Sequence, residues 1–274
     1  VGGYVDSSGK PLLIGNVGDY GAQTPALVRM TTSGVVDTTF DGNGLKVLEN
    51  WNTTTSTYVN EVRSSGSSIY LLGGAGAGFW MGDKPFILKI NENGTIDTSW
   101  GASGWVVASE AEQPVSDSGA FYIGNSDIYI LGYRSPQGNN QVVIHKFSTS
   151  TGLPVNMGAS SQNYMSIPTS TWNSGEWHAG IFPANGGKVV IYTKSNSGGQ
   201  GMTTSLYRFD VSMFSAQIDS NFGNNGVLNL SVPVYNIFPP VINGSGLLLV
   251  GGERDDTNGP FVKMAQLNSD GTLD

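Results

Sequence analysis

Short apolar stretches recur along this chain at a regular interval. The runs SIYLLGG at 68–74, DIYILGY at 127–133 and LLLVGGE at 247–253 are apolar at successive positions, and PLLIGN at 11–16 and KVVIYTK at 188–194 follow the same pattern. Corresponding positions in the five runs lie about 60 residues apart, an interval typical of repeat architectures. Because successive apolar residues leave no polar face, each run predicts a strand buried on both sides.

Three further segments surround each run and complete a repeating unit. A second strand such as FILKI, which ends at Ile90, follows the run, and a basic or polar residue precedes its last apolar residue in every unit. A turn such as NGTIDTSWGASG at 93–104 comes next and leads into a short strand, while another strand precedes the run. Four short strands separated by Gly, Ser, Asn and Asp clusters predict an antiparallel meander.

Five such units predict an all-β fold, a five-bladed β-propeller of four-stranded antiparallel blades. The fifth unit reaches Asp274 before its outer strand, so we expect the last blade to lack that strand in this chain and the chain to belong to a longer polypeptide. A β-solenoid is the structural alternative, although its coils are shorter and contain no four-strand meander. We expect one domain over 1–274, with repeats at approximately 1–50, 51–109, 110–168, 169–231 and 232–274.

The turns share an aspartate followed three residues later by an aromatic residue. The third unit, TGLPVNMG at 151–158, lacks both. The turn pattern N-x-[D/N]-G-T-[I/L]-D-T-S-[F/W]-G, at an interval near 60 residues, resembles the delta-60 repeat family of bacterial proteins. That resemblance implies propeller-like repeats in secreted or surface-associated proteins and implies no defined activity. The residues that carry it are Gly34, Asp37 and Phe40; Gly94, Asp97 and Trp100; Asp219 and Phe222; and Gly271 and Asp274.

The repeated turn aspartates have two interpretations. Oxygen-bearing side chains around a glycine turn suit calcium, but the full acidic loop and its closing glutamate are missing. The other interpretation is structural, because an aspartate in a turn accepts hydrogen bonds from nearby backbone N–H groups. We expect the structural role and no cofactor, with calcium at these turns as the alternative. The aspartates are Asp37, Asp97, Asp219 and Asp274.

Composition narrows the range of partners. The net charge of −8 argues against a polyphosphate partner such as nucleic acid. The absence of cysteine excludes disulfides, thiolate metal sites and cysteine nucleophiles. No apolar run approaches the roughly 18 residues that cross a bilayer. An acidic, cysteine-free chain that is rich in Ser, Thr and Asn is compatible with bacterial export, and we expect an extracellular or cell-surface location.

Two side-chain clusters are candidate binding sites. The first is an apolar group in the glycine-rich loop 74–84, which forms a contact patch if it is exposed. The second lies at the start of the fourth repeat, where an innermost strand reaches the central channel or its mouth. Both also have structural interpretations, as a loop folded back on its blade and as ordinary core and rim residues. The residues are Phe79, Trp80 and Met81 in the loop, and Glu176, Trp177 and His178 in the fourth repeat.

The sequence contains no recognisable catalytic constellation. We therefore expect a non-enzymatic extracellular module that displays loops for adhesion, binding a protein or a glycan within a larger bacterial surface or secreted protein. One alternative is a carbohydrate-active hydrolase that uses carboxylates near the propeller axis, at Glu61 and Glu176, with Asp6 and Asp117 also close to first strands. The other alternative is a lectin with one sugar site in each blade.

Overall fold

The chain is described by a computed structural model in which all regular secondary structure, across the described residues, is β-strand. No helix in those residues is long and apolar enough to cross a bilayer. The described residues are 2–18, 24–48, 56–76, 84–108, 113–114, 121–134, 141–157, 163–168, 179–184, 188–196, 202–210, 217–230, 236–243, 246–255, 259–268 and 270–272.

The first two sheets are four-stranded meanders in which each strand pairs antiparallel with the next. This order confirms the all-β fold and the antiparallel unit predicted from the four apolar segments of each repeat. The strands are β1 (Gly2–Val5), β2 (Pro11–Val17), β3 (Thr24–Arg29) and β4 (Leu45–Val47) in the first sheet, and β5 (Ser56–Ser65), β6 (Ser68–Gly76), β7 (Lys84–Asn91) and β8 (Trp105–Val107) in the second.

The remaining strands of the described residues form three more antiparallel sheets. The third sheet contains β9 (Gln113–Pro114), β10 (Phe121–Ile123), β11 (Asp127–Arg134), β12 (Gln141–Ser148) and β13 (Tyr164–Pro168); the fourth contains β14 (Ala179–Ala184), β15 (Lys188–Asn196), β16 (Met202–Asp210), β17 (Gln217–Ile218) and β18 (Val227–Leu230); the fifth contains β19 (Asn236–Asn243), β20 (Gly246–Asp255) and β21 (Gly259–Leu267).

Two short strands exceed the predicted four per sheet. β10 opposes only the first half of β11, and β9 pairs with the second half, so the innermost strand of the third sheet is made in two pieces. β17 pairs with the end of β16. β17 belongs to the turn that follows β16. In the second sheet the equivalent turn pairs with the third strand through a single bridge, between Ile90 and Ile96. The sequence did not predict β9 and β17 because two-residue strands are too short to produce an apolar run.

The second strand of the second sheet is buried on both faces, as its sequence predicts, whereas the same prediction is wrong for the first sheet, because one face of β2 is exposed. In β6, Ile69 and Leu71 pack into a cluster that includes Leu12 of the first sheet. Tyr70 and Leu72 point the other way, into a cluster dominated by side chains of the third sheet. The second sheet is therefore covered on one face by the first sheet and on the other by the third.

The first strands of consecutive sheets adjoin one another. β5 packs against β1, β2 and β3, β14 packs against β10 and β11, and β19 packs against β14. Sheets that stack face to face with their first strands adjacent are arranged as blades of a β-propeller. The first strands are consequently where side chains from different sheets approach a common axis.

Candidate functional site

Asp37 is held by hydrogen bonds on both carboxylate oxygens. Its Oδ1 accepts bonds from the backbone N–H and the hydroxyl of Thr39, at 3.1 and 2.6 Å. Its Oδ2 accepts bonds from Lys10 at 2.8 Å and from the buried Arg29 at 2.9 Å. The Lys10 hydrogen bond, followed by that of Thr39, holds the pKa of Asp37 far below its usual value. The Arg29 guanidinium also lies 4.9 Å from the centre of the Phe40 ring, which joins the aspartate and the aromatic of one turn.

The fourth repeat builds the same arrangement. Asp219 accepts bonds from Lys188 at 2.6 Å, from Arg208 at 2.7 Å and from the backbone N–H of Asn221 at 3.2 Å. Burial on its own raises the pKa of Asp219, but these bonds outweigh it and the pKa lies below its usual value. Arg208 stacks 4.6 Å from the centre of the Phe222 ring. The matching contacts explain why the turn repeats both residues.

In the second repeat, Asp97 pairs with Lys89 at 2.9 Å and accepts bonds from the hydroxyl and backbone N–H of Ser99. The Ser99 hydroxyl, and then Lys89, lower the pKa of Asp97. Within the described part of the chain, no group of three or more His, Cys, Asp or Glu side chains is placed to hold a metal ion. Asp274 lies outside the described residues, and calcium at these turns stays a prediction.

The third repeat keeps the ion pair without the turn aspartate. Val155 takes the position of Asp97, since its N–H donates to the carbonyl of Lys146 as that of Asp97 donates to the carbonyl of Lys89. Lys146, on β12, instead pairs with Asp127 at the start of β11, at 3.2 Å. The acid has moved from the turn to the adjacent strand.

The candidate site near the axis centres on Glu61 of β5. A β-bulge between Val59 and Glu61 makes Asn60 an extra residue of this innermost strand. Bulges often re-aim a side chain beside a functional site. Glu61 is buried, with 7% of its surface exposed, and accepts a hydrogen bond from Nε of Arg63 at 2.8 Å. A carboxylate and a guanidinium therefore meet on an innermost strand.

A side chain of the first sheet holds the bulge in place. Asn16, the polar residue that closes the apolar run of β2, donates to the carbonyl of Val59 at 3.2 Å and accepts from the N–H of Val59 at 3.0 Å. Asn16 was not among the residues predicted from the sequence, although a lone amide at the end of an apolar run was the available signal. This pair of bonds fixes β5 against β2 one residue before the bulge.

The Glu61 side of β5 is turned toward the third sheet. Glu61 and Arg63 pair with Leu72 and Tyr70 across β5 and β6, and these four residues share one face. The Arg63 guanidinium lies 5.5 Å from the ring centre of Phe121, the first residue of β10. The ion pair therefore lies between the innermost strands of two consecutive sheets.

Most of the predicted site residues lie outside the described part of the chain. Asp6 is placed in a turn, where its Oδ1 accepts bonds from the N–H groups of Ser8 and Lys10, each at 2.9 Å. Of the four carboxylates predicted near first strands, Glu61 is the one that lies on a first strand within the described residues. The apolar loop cluster and the fourth-repeat cluster stay predictions, and the residues outside the described part are Phe79, Trp80, Met81, Asp117, Glu176, Trp177 and His178.

Comparison with known families identifies similarity to a propeller family. The model of "Domain of unknown function (DUF5122) beta-propeller" matches residues 7–40 and 245–274, which carry turns of the first and last repeats. This match supports a β-propeller, while the delta-60 name stays a prediction. No curated protein matches the chain.

Solved structures share the fold at low sequence identity. A protein of unknown function from Dyadobacter fermentans is 11% identical with a TM-score of 0.56, over 97% of this chain and 77% of that one. A subtype N11 neuraminidase-like protein of A/flat-faced bat/Peru (H18N11) is 10% identical with a TM-score of 0.51, over 93% and 69%. An alpha-L-arabinofuranosidase from Lactobacillus brevis is 11% identical with a TM-score of 0.46, over 99% and 91%.

These matches correct one sequence-based expectation. The non-enzymatic module was expected because nothing in the sequence linked the chain to propeller enzymes. The fold shared with the neuraminidase-like protein contradicts the expectation of a non-enzymatic module, since this fold is not confined to binding modules. The sequence does not indicate this likeness because at 10% identity the shared feature is the stacking of sheets, which needs only alternating apolar positions.

Proposed function

We propose that this chain is a carbohydrate-active hydrolase whose acidic site lies at the innermost strands of a five-bladed β-propeller. The observation that carries the proposal is the buried Glu61–Arg63 pair, which a bulge presents on an innermost strand. Glycoside hydrolysis requires a pair of carboxyl groups on either side of the scissile bond. Glu61 supplies the first of them.

The environment of Glu61 suits one of the two roles. A carboxylate that accepts a hydrogen bond from a guanidinium is kept as an anion, because protonation would leave the arginine without its partner. An anionic carboxylate acts as a nucleophile or a base, or stabilises the positive charge of an oxocarbenium-like transition state. Glu61 is therefore assigned to this role and not to that of the general acid.

The second carboxyl group is assigned to Glu176, at the start of the fourth repeat, where the sequence places it beside Trp177 and His178. The aromatic face of Trp177 suits the apolar face of a sugar ring. The distance between the two carboxyl groups would decide the stereochemistry, since about 5 Å corresponds to retention and about 6.5 to 9.5 Å to inversion. The proposal includes repeats of the delta-60 type and secretion to the medium or cell surface, where polysaccharides are available.

The test is the release of reducing sugar from plant and bacterial polysaccharides and from aryl glycosides. We expect hydrolysis of at least one substrate by the wild-type chain, and a loss of at least about 100-fold in kcat with Glu61→Gln, a typical loss for an essential acid or base. Glu92→Gln is the matched control, because Glu92 is an exposed glutamate in a turn of the same sheet, and its rate should be unchanged.

Two results would contradict the proposal. One is the absence of hydrolysis across the panel when circular dichroism shows a folded protein. The other is a Glu61→Gln variant that is as active as Glu92→Gln.

A further inference from the structure

The turns of successive repeats contact each other in a fixed order. The ring of Phe40 packs on Gly94 of the next repeat, where a Cβ atom would lie 3.3 Å from the ring. The N–H of Asp41, the residue after the aromatic, donates to the carbonyl of Asn93 at 2.8 Å. One turn thus supplies an aromatic ring and an N–H group, and the following turn supplies a glycine and a carbonyl.

The second and third repeats make the same contact. A Cβ atom on Gly152 would lie 2.9 Å from the ring of Trp100 and 2.6 Å from the nitrogen of Gly101. The N–H of Gly101 donates to the carbonyl of Thr151 at 2.8 Å. The contact is kept even though the third turn has lost its own aspartate and aromatic.

The fourth and fifth repeats also make this contact between turns. A Cβ atom on Gly271 would lie 2.7 Å from the ring of Phe222. The N–H of Gly223 donates to the carbonyl of Asp270, again at 2.8 Å. In all three pairs the aromatic is buried and the accepting glycine has a positive φ, of 92, 71 and 89°.

The first turn has the same backbone geometry as the turns that supply a glycine and a carbonyl, but no aromatic ring of the described residues packs on its glycine. Gly34 has a φ of 82°, and its N–H donates to the carbonyl of Thr31 at 2.9 Å, as that of Gly94 donates to Asn91. Yet Gly34 is exposed and no atom lies within 4 Å of the position of a Cβ atom. No backbone N–H of the described residues donates to the carbonyl of Ser33.

We propose that the first turn, Thr31 to Asp37, is a docking site for another turn of the same repeat type. The occupant is an Asp-x-x-aromatic-Gly segment whose ring covers Gly34 and whose next N–H donates to the carbonyl of Ser33. Three turns of this molecule already contact equivalent glycines through an aromatic ring and an N–H group, so we expect the same two groups in the turn that contacts Gly34. Each of the three contacts runs from one repeat to the following one, so the turn that occupies the first repeat belongs to another repeat of this type.

The experiment extends the chain after Asp274 with the eleven residues 220–230, which follow the equivalent Asp219 and begin SNFG. A second extension replaces the phenylalanine with alanine. Because burying one aromatic ring stabilises by a few kcal/mol, we expect the phenylalanine extension to raise Tm by at least about 5 °C over the alanine extension. Equal Tm values would overturn the proposal.

Gly34→Asn tests where the added ring docks. Asparagine tolerates a positive φ, but its side chain would occupy the space that the ring needs. We expect the phenylalanine-dependent rise in Tm to fall below about 2 °C in this background. Gly66→Asn is the matched control, because Gly66 has a φ of 58° and open space around it, and there the full rise should persist.

Two further results would overturn the proposal. A rise in Tm that is the same in Gly34→Asn as in Gly66→Asn would place the ring elsewhere. A dimer of the unextended chain that Gly34→Asn dissociates would show that a second copy occupies the turn. None of these readouts depends on hydrolytic activity, so this inference and the proposed function fail independently.

Discussion

Lys146 forms an ion pair with Asp127, at 3.2 Å, in the repeat whose turn has lost its aspartate. In the neighbouring repeats the cation of the third strand pairs with the turn aspartate, as Lys89 does with Asp97. Lys146 is buried, and a buried cation that loses its partner is costly. What the repeats retain is therefore an anion beside this cation, and not an aspartate at one position.

This relationship predicts a rescue. Asp127→Asn leaves Lys146 without its anion, and we expect the free energy of unfolding to fall by about 1–3 kcal/mol. Adding Val155→Asp places an aspartate at the turn position used by the other repeats, so the double variant should regain at least about 1 kcal/mol. The measurement is urea unfolding of the single and double variants. If Val155→Asp destabilises the wild-type chain and the Asp127→Asn variant equally, an aspartate at the turn position cannot replace Asp127.

The turn aspartates predict a loss of stability in acid. The pKa of Asp37 lies below its usual value in the folded chain, so the folded state favours the ionised form. The stabilisation is complete above the unfolded pKa of about 4 and is lost as the pH falls toward the folded pKa. We expect Tm to fall as the pH is lowered from about 5 to 2, and to fall less steeply for Asp37→Asn.

Asp41→Asn provides the control for this pH dependence. Asp41 belongs to the same turn and pairs with Lys46 at 3.0 Å near the surface. An exposed pair contributes at most about 1 kcal/mol, so the slope of Tm against pH should match that of the wild-type chain. Equal slopes for Asp37→Asn and the wild-type chain would contradict the assigned role of Asp37.

The contact between Trp100 and Gly152 predicts that the turn glycine cannot be replaced. Gly152→Ala places a methyl group 2.6 Å from the Gly101 nitrogen, with the added strain of a φ of 71°. Gly66→Ala carries the strain of a positive φ in open space. We expect Gly66→Ala to cost about 1 kcal/mol and Gly152→Ala to cost at least about 2 kcal/mol more by thermal unfolding. Similar costs would mean that the turns do not lock successive repeats together.

Asn16 predicts a link between stability and the candidate site. Asn16→Ala removes the two hydrogen bonds to the backbone of Val59, and we expect a loss of about 1–3 kcal/mol in the free energy of unfolding. If Asn16 positions the bulge that presents Glu61, kcat should fall more than KM rises. Asn43→Ala, a turn amide that accepts a bond from Leu45 on the surface, is the control and should leave both constants unchanged.

The sequence predicts the strands well because burial on both faces leaves a plain signal in runs such as Ile69 to Leu72. The turn aspartates and aromatics also recur in the sequence because the first and fourth repeats use them for the same contact. The bulge at Asn60 and its anchor Asn16 have no such signal, because they depend on where β5 meets β2 in space. The partner of Lys146 was missed for a similar reason, since Asp127 is distant along the chain and comes close only when β11 pairs with β12.

Chemical rescue of Glu61→Ala by azide tests the central claim most directly. Azide can occupy the space of the missing carboxylate and attack the sugar, so the account predicts that the variant loses hydrolysis by at least about 100-fold and that azide restores turnover with formation of a glycosyl azide. A folded variant that keeps its hydrolytic rate would contradict a catalytic role for Glu61, and one that loses activity but forms no glycosyl azide at any azide concentration would contradict its role as nucleophile or base.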